Sequence, residues 1–303
     1  MDGFVFPLAC QAIPRLCERI GLECNLPEEI FPVGADRDAM TALTKKRESF
    51  LDALQRMHGL SMWDFFDESG IGQERNALSQ EMVATGTPVL DVATGRGYFG
   101  FACARRGSEV TAVDIMDGGE RVGWWRVFLD NSLRLGIRRM VREVRADSTR
   151  LPSKSGSLAL VSCVHAIRNF LAKGELEGTI KEAHRVLAGG GRLVLVESSR
   201  EPESDAEEVY LAYLKLRGVV GWEAEYPDAQ ELVLMLEEDG FSKITRTTKR
   251  FSRDYAPVEF PSYAISNQPP KIRDEHERIE RLRSKNGIKA PPVNVVSGIV
   301  EQA

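Results

Sequence analysis

The sequence predicts an α/β fold: a Rossmann-like, doubly wound, mostly parallel seven-stranded sheet with helices on both faces, preceded by a helical N-terminal region. Three observations predict it. From Thr87 onward, apolar strand-like runs alternate with helical stretches, as they do when crossover helices join parallel strands. A glycine-rich turn, Gly95-Arg96-Gly97-Tyr98-Phe99-Gly100, lies between the first of these strands and a helix. Residues 1–80 read as helical, with Ala39–Met57 carrying Met40, Leu43, Phe50, Leu51, Leu54 and Met57 at roughly the helical period.

Taken in order, Pro88–Ala93 is the first strand, and Gly95–Ala104 opens a helix that Gly107 closes. Glu109–Ile115 is the second strand, followed by a helix over Glu120–Leu135 that ends at Gly136. Val141–Ala146 and Ser157–Val164 are the third and fourth strands. Glu175–Leu187 is a helix, Gly189-Gly190-Gly191 a sharp turn, and Arg192–Glu197 the fifth strand. Helices are expected over Asp205–Leu216 and Asp228–Glu238, then strands over Phe241–Phe251 and Val258–Ser266. This divides the chain into a helical region over 1–80, serving as a lid or acceptor-binding segment, a sheet domain over 81–267, and a charged helical tail over 268–303. In the tail, Lys271–Lys285 pairs Asp274 with Arg278 and Glu277 with Arg281 at four-residue spacing, each pair worth only ~0.3 kcal/mol. Its thin apolar stripe of Ile272, Ile279 and Leu282 can dock on the body or on a second copy of the chain; the body is expected, and a homo-oligomer is the alternative.

Composition narrows the function classes. A net charge of -5 over 303 residues provides no global basic field toward nucleic acid. The longest apolar runs, such as Leu193–Val196, fall far short of the roughly 20 residues of a spanning helix. The N-terminus has no charged region before its apolar stretch, so a secretory leader is not expected. Five cysteines without a CxxC pair point to free thiols in a reducing, cytoplasmic setting and to no metal site, although Cys10, Cys17 and Cys24 recur every seven residues.

The glycine turn and Asp114, nineteen residues after Gly95 at the end of the second strand, suit a nucleotide. Glycines let the backbone approach a ligand, and an acidic side chain on the next strand accepts hydrogen bonds from two ribose hydroxyls. That much fits NAD as well as S-adenosylmethionine (SAM). Asp91 separates them. A carboxylate inside an apolar strand is costly unless it is paired. SAM supplies an ammonium, whereas NAD brings a pyrophosphate that Asp91 would repel. Asp147 and Ser148, ending the third strand, can address an adenine edge.

Here the chain resembles a known family. VLDVATGRGYFG is similar to motif I of class I SAM-dependent methyltransferases, VTAVDI to their second motif, ADSTRLP to the third-strand motif, and EAHRVLAGGGRLVLVE to their "RVLKPGG" element. The resemblance covers about residues 86–266. Within that superfamily the chain resembles the UbiE-like ubiquinone/menaquinone C-methyltransferases, which share DVA-x-GxG, a stretch like Asp147–Pro152, and a turn like Ile167-Arg168-Asn169. It departs from them at Arg96 and Tyr98, where a small residue and an Asp are usual, and over the first 80 residues. The resemblance implies that Asp91 and the backbone at Ala93, Gly95 and Gly97 hold the methionine end. It also implies that Asp114 binds the ribose, Ile115 or Met116 covers one adenine face, and Asp147 and Ser148 meet the adenine edge. Residues Cys163–Asn169 would face the methyl group and a small-molecule acceptor.

His165, just past a strand end, is a candidate general base or a buried structural histidine. Arg168 and Asn169 either orient an acceptor oxygen or organise the turn. If the acceptor is a quinol or phenolic carbon, His165 takes the ring hydroxyl proton and Arg168 stabilises the oxyanion; peripheral membrane contact then follows for a quinol. The fourth strand ends in SCVHAIRN rather than the Asn/Asp-Pro-Pro-aromatic element of amide N-methyltransferases, which argues against an RNA or protein substrate. A SAM-binding sensor or partner subunit without turnover is the rival of a different class, prompted by Arg96 and Tyr98 crowding the loop.

Overall fold

A computed structural model describes residues 12, 15–21, 55–115, 124–219, 226–251 and 269–301. The expected strand over Val258–Ser266, the residues Cys10, Cys24 and Met116, and all but the end of the helix expected over Ala39–Met57 lie outside the described residues.

The chain forms two compact units that interleave along the sequence. One comprises Met1–Glu74, Pro202–Trp222 and Ser252–Ala290; the other comprises Arg75–Glu201, Glu223–Phe251 and Pro291–Ala303. The tail expected as one piece from residue 268 is therefore shared between them.

The second unit is the sheet unit. Its strands are β1 (Val89–Val92), β2 (Val110–Asp114), β3 (Val141–Arg145), β4 (Leu158–Val164), β5 (Leu187–Ser198), β6 (Phe241–Lys249) and β7 (Val293–Val300). They lie in the order β3-β2-β1-β4-β5-β7-β6. β1 to β5 pair in parallel, and β7 inserts antiparallel between β5 and β6. The doubly wound, mostly parallel seven-stranded sheet is as the sequence predicts. Its seventh strand is not in the expected place, because VNVVSGIV pairs on both edges and is buried along most of its length. The glycines read as a turn belong to β5 itself. A Cβ on Gly191 would lie 2.7 Å from the Ala188 carbonyl oxygen and 2.8 Å from that of Leu158, so only glycine lets these backbones approach.

The helices with described bounds are α1 (Met62–Glu68), α2 (Gly70–Met82), α3 (Tyr98–Arg105), α4 (Trp124–Arg134), α5 (Ile167–Lys173), α6 (Leu176–Val186), α7 (Asp205–Val219), α8 (Ala229–Glu238) and α9 (Pro270–Asn286), and residues 15–19 and 55–58 are helical as well. Local chemistry sets several ends. Ser61 with Asp64, and Asp228 with Glu231, form capping boxes at the starts of α1 and α8. Gly174, at φ 70°, closes α5, which the sequence showed only as a turn. The sheet unit's core joins Leu90, Val92, Val161, Leu193 and Leu195 from the strands to Ile180 and Ala183 of α6 and Leu232 and Leu236 of α8. In the other unit, Ile279 of α9 is fully buried with Val209, Tyr213 and Leu216 of α7, and Ile272 and Leu282 pack against that cluster. The tail stripe thus docks on the chain's own body, as expected.

Candidate active site

The candidate site lies at the C-terminal ends of the parallel strands, where ligands bind in open α/β sheets. After β1 the chain turns sharply. Ala93, Gly95 and Gly97 all have left-handed backbones, at φ 53°, 55° and 87°. For Ala93 that conformation is strained, a condition that clusters at ligand sites. The turn is held by the Thr94 amide donating to the Val113 carbonyl at 3.1 Å and the Gly97 amide donating to the Thr94 carbonyl at 2.9 Å. Gly97 starts α3, and a Cβ there would come within 2.6 Å of the Phe101 and Phe128 rings. From the end of β2, Asp114 reaches across and accepts from the Gly95 amide at 2.9 Å. Two of the sequence-predicted residues are thereby joined directly.

Asp91 lies in β1 beside Ser162 of β4 and is 2% exposed. Its carboxylate accepts from the Ser162 hydroxyl at 2.9 Å and the Thr94 hydroxyl at 2.7 Å, with the Gly100 amide as a further donor. Burial nevertheless pushes its carboxyl up to about 6, outweighing these donors and the pull of the Arg75 guanidinium. Desolvation disfavours the anion, and a further cation would restore it. Arg75, on α2, is itself 6% exposed.

A second buried carboxylate, Glu197 near the end of β5, is 1% exposed. His165 follows β4 with φ 57°, its amide donating to the Val196 carbonyl at 2.8 Å. Its Nδ1 lies 3.2 Å from Glu197 Oε1. The same oxygen accepts from Arg168 Nη1 at 3.0 Å and from the Ser198 amide at 3.1 Å. The Arg168 guanidinium also sits over the Tyr226 ring, 5.8 Å from its centroid. Burial opposes ionisation of Glu197, but Arg168, His165 and the Ser198 amide together hold its carboxyl down at about 2. The structure therefore brings His165 and Arg168 together through a residue that sequence reasoning did not single out. The signal was present: Glu197 ends the apolar run Leu193–Val196 just as Asp91 interrupts Val89–Val92.

The remaining predicted residues are placed differently. Asp147 Oδ1 accepts from both the amide and the hydroxyl of Thr149 at 2.8 Å, a turn that holds its carboxyl below the ordinary range. The Ser148 hydroxyl is buried against that of Thr179 at 2.8 Å. The Ile115 carbonyl accepts from Arg145 Nε at 3.0 Å. The Asn169 amide donates to the Ala166 carbonyl at 3.0 Å, opening α5. Cys163 lies in the core between Val92 and Leu195, where burial first, and then the Glu197 and Asp91 carboxylates, push its thiol up.

Comparison with known proteins identifies the family. A methyltransferase domain model matches residues 90–195, from β1 into β5. The ubiquinone/menaquinone biosynthesis C-methyltransferase UbiE of Pseudomonas paraeruginosa is 31% identical over 191 residues, spanning 57% of this chain and 72% of that protein. The chain belongs to the class I SAM-dependent methyltransferases. Among these it is UbiE-like: the UbiE of Azotobacter vinelandii is 29% identical over 57% of this chain and 72% of its own length. A solved structure of a methyltransferase from Bacillus halodurans agrees in fold, with a TM-score of 0.51 and 22% identity over 76% of this chain and 100% of that one.

A SAM-dependent methyltransferase must hold a zwitterionic amino-acid end, a sulfonium and a ribose. The donor set fits. A buried carboxylate whose ionisation burial opposes feels the charge of a buried guanidinium, beside a strained glycine turn and an acidic strand end. A pyrophosphate at the same place would meet Asp91 as a like charge.

Proposed function

We propose that this methyltransferase acts on a small-molecule acceptor and alkylates a phenolic or quinol carbon. The observation that carries this reading is the His165–Glu197–Arg168 group at the ends of β4 and β5. SAM supplies an electrophilic methyl on a sulfonium, whose leaving group is a neutral thioether. The protein's own work is then to bind, align and remove one proton. A ring carbon becomes strongly nucleophilic only when the adjoining hydroxyl is ionised. Glu197, anionic at working pH, accepts from His165 Nδ1 and so favours the tautomer whose lone pair is on Nε2. Nε2 takes the hydroxyl proton, and the imidazolium formed is stabilised by Glu197; once the carbon has taken the methyl, its ring hydrogen leaves as a proton and the imidazolium returns the first proton to the oxygen, so one proton is released overall. Arg168, whose side chain is 28% exposed, stabilises the resulting oxyanion by its positive charge, and Asn169 adds a polar side chain at the start of α5.

At the cofactor end, Asp91 takes the ammonium and Arg75 the carboxylate. The Ala93–Gly97 backbone allows close approach, and Asp114 receives the ribose hydroxyls. Ile115 covers one adenine face. Asp147 offers its second oxygen to the adenine amino group, while Ser148, its hydroxyl held by Thr179, has its backbone amide for the ring. The UbiE relatives, named for ubiquinone and menaquinone biosynthesis, support a quinol acceptor. Among the described residues no helix is long and apolar enough to cross a membrane.

Incubating the protein with deuteromethyl-labelled SAM and cell extract tests the reading by mass spectrometry. Label on a ring carbon of a phenol or quinol is the expected result. Label on an oxygen, an amine, RNA or protein would overturn it.

A further inference from the structure

β3 is the edge strand of the sheet at the end opposite β6, and its approach carries an unusual charge pattern. Between Arg134 and Arg150 the sequence holds six arginines against two carboxylates, a net of +4 (six minus two) in a chain whose net charge is -5. Arg134, Arg139, Arg142, Arg145 and Arg150 are all exposed. Among the described residues, Arg138 is the one of the six neutralised at contact distance, by Glu143 at 2.9 Å. Arg145 donates to a backbone carbonyl, and Arg134, Arg139 and Arg142 have no carboxylate partner among the described residues. Arg185, Arg200 and Arg278, by contrast, each hold a carboxylate within 2.8 Å. Beside Arg134, at the end of α4, Leu133 projects with 62% exposure, one of three large exposed apolar side chains among the described residues.

We infer that this edge, from the end of α4 through β3, is a docking surface for an anionic lipid bilayer. Guanidinium groups with no internal partner match phosphate head groups, to which each basic side chain near the surface adds about 1 kcal/mol. An exposed leucine among them suits the boundary between head groups and acyl chains. RNA shares the phosphates but is gripped by aromatic stacking as well. The segment 133–150 contains no Phe, Tyr, Trp or His, which favours lipid. The inference stands on this charge pattern and does not require the quinol reading. If both hold, docking delivers the enzyme to a membrane-dissolved acceptor.

Sedimentation with lipid vesicles tests it on the full chain. Vesicles of phosphatidylcholine mixed with phosphatidylglycerol should carry the protein down at low salt, and phosphatidylcholine alone should not. The exposed pair Arg139→Glu and Arg142→Glu should weaken anionic-vesicle binding roughly tenfold or more, as loss of two surface cations implies. The pair Arg278→Glu and Arg281→Glu on α9 changes net charge equally and should leave it unchanged, with SAM binding retained in both variants. No binding to anionic vesicles would overturn the inference. So would equal loss in the two pairs, or preferential retention on single-stranded RNA that vesicles do not displace.

Discussion

Asp91→Asn is expected to weaken SAM binding by roughly a hundred- to a thousandfold, the cost of breaking a buried ion pair. The same variant should leave the SAM-free protein no less stable near neutral pH. Burial raises the Asp91 carboxyl from the ordinary 3.8 to about 6. A folded-state value above the unfolded one means stability present below pH 3.8 and lost as pH rises through about 6. At neutral pH the ionised carboxylate thus costs about 3 kcal/mol. Asparagine removes that cost and can still accept from Thr94 and Ser162, though it sets an amino group among their donors. Thermal unfolding across pH, with and without SAM, measures both effects. A wild-type midpoint that falls between pH 4 and 6 while the variant's stays level, together with loss of the SAM-induced rise, is the expected result. Loss of stability without loss of SAM binding would make Asp91 a brace for the glycine turn alone.

The second large effect concerns Glu197. Glu197→Gln should lower kcat by about a hundredfold, the lower range of general-base contributions, while the affinity for SAM changes little. In the proposed mechanism Glu197 acts through His165, which makes it a positioning residue. The double variant with His165→Ala should therefore be no slower than His165→Ala alone, because residues that act as a unit are not additive. Additive losses would separate the two roles. Stability should shift in the opposite sense to Asp91. The carboxyl is held at about 2 against an ordinary 4.5, so its stabilising contribution is present above pH 4.5 and lost as pH falls through about 2. At neutral pH that contribution is about 3 kcal/mol, and Gln forfeits most of it.

Of the parallel strands, β1, β2, β4 and β5 were legible because each is a largely apolar run set off by a glycine or a polar turn, a local signal; β3, VREVR, shows only its two valines. β1 to β5 fall where the sequence places them, to within a few residues, apart from the glycine segment that begins β5. β7 was hidden because its partners lie far off in sequence: Val296 pairs with Leu195 on one side and Arg246 on the other. The highly charged helix Pro270–Asn286 before it masked the apolar run. In the site, Asp91 and Asp114 stood out because a carboxylate beside a glycine turn has few structural uses. Glu197 obeys the same logic but has no glycine neighbour to mark it, and its meaning appears only when His165 and Arg168 converge on it.

Proton release on SAM binding tests the pairing of Asp91 with the cofactor's ammonium most directly. Calorimetric titration near pH 6, in buffers of differing ionisation enthalpy, reads the protons exchanged. With its carboxyl near 6, Asp91 is about half protonated there, and a cation placed beside it should expel about half a proton per SAM bound, less as pH rises toward 7. Asp91→Asn should show none of that release. Binding of SAM near pH 6 with no proton released, or with equal release from the variant, would contradict the pairing.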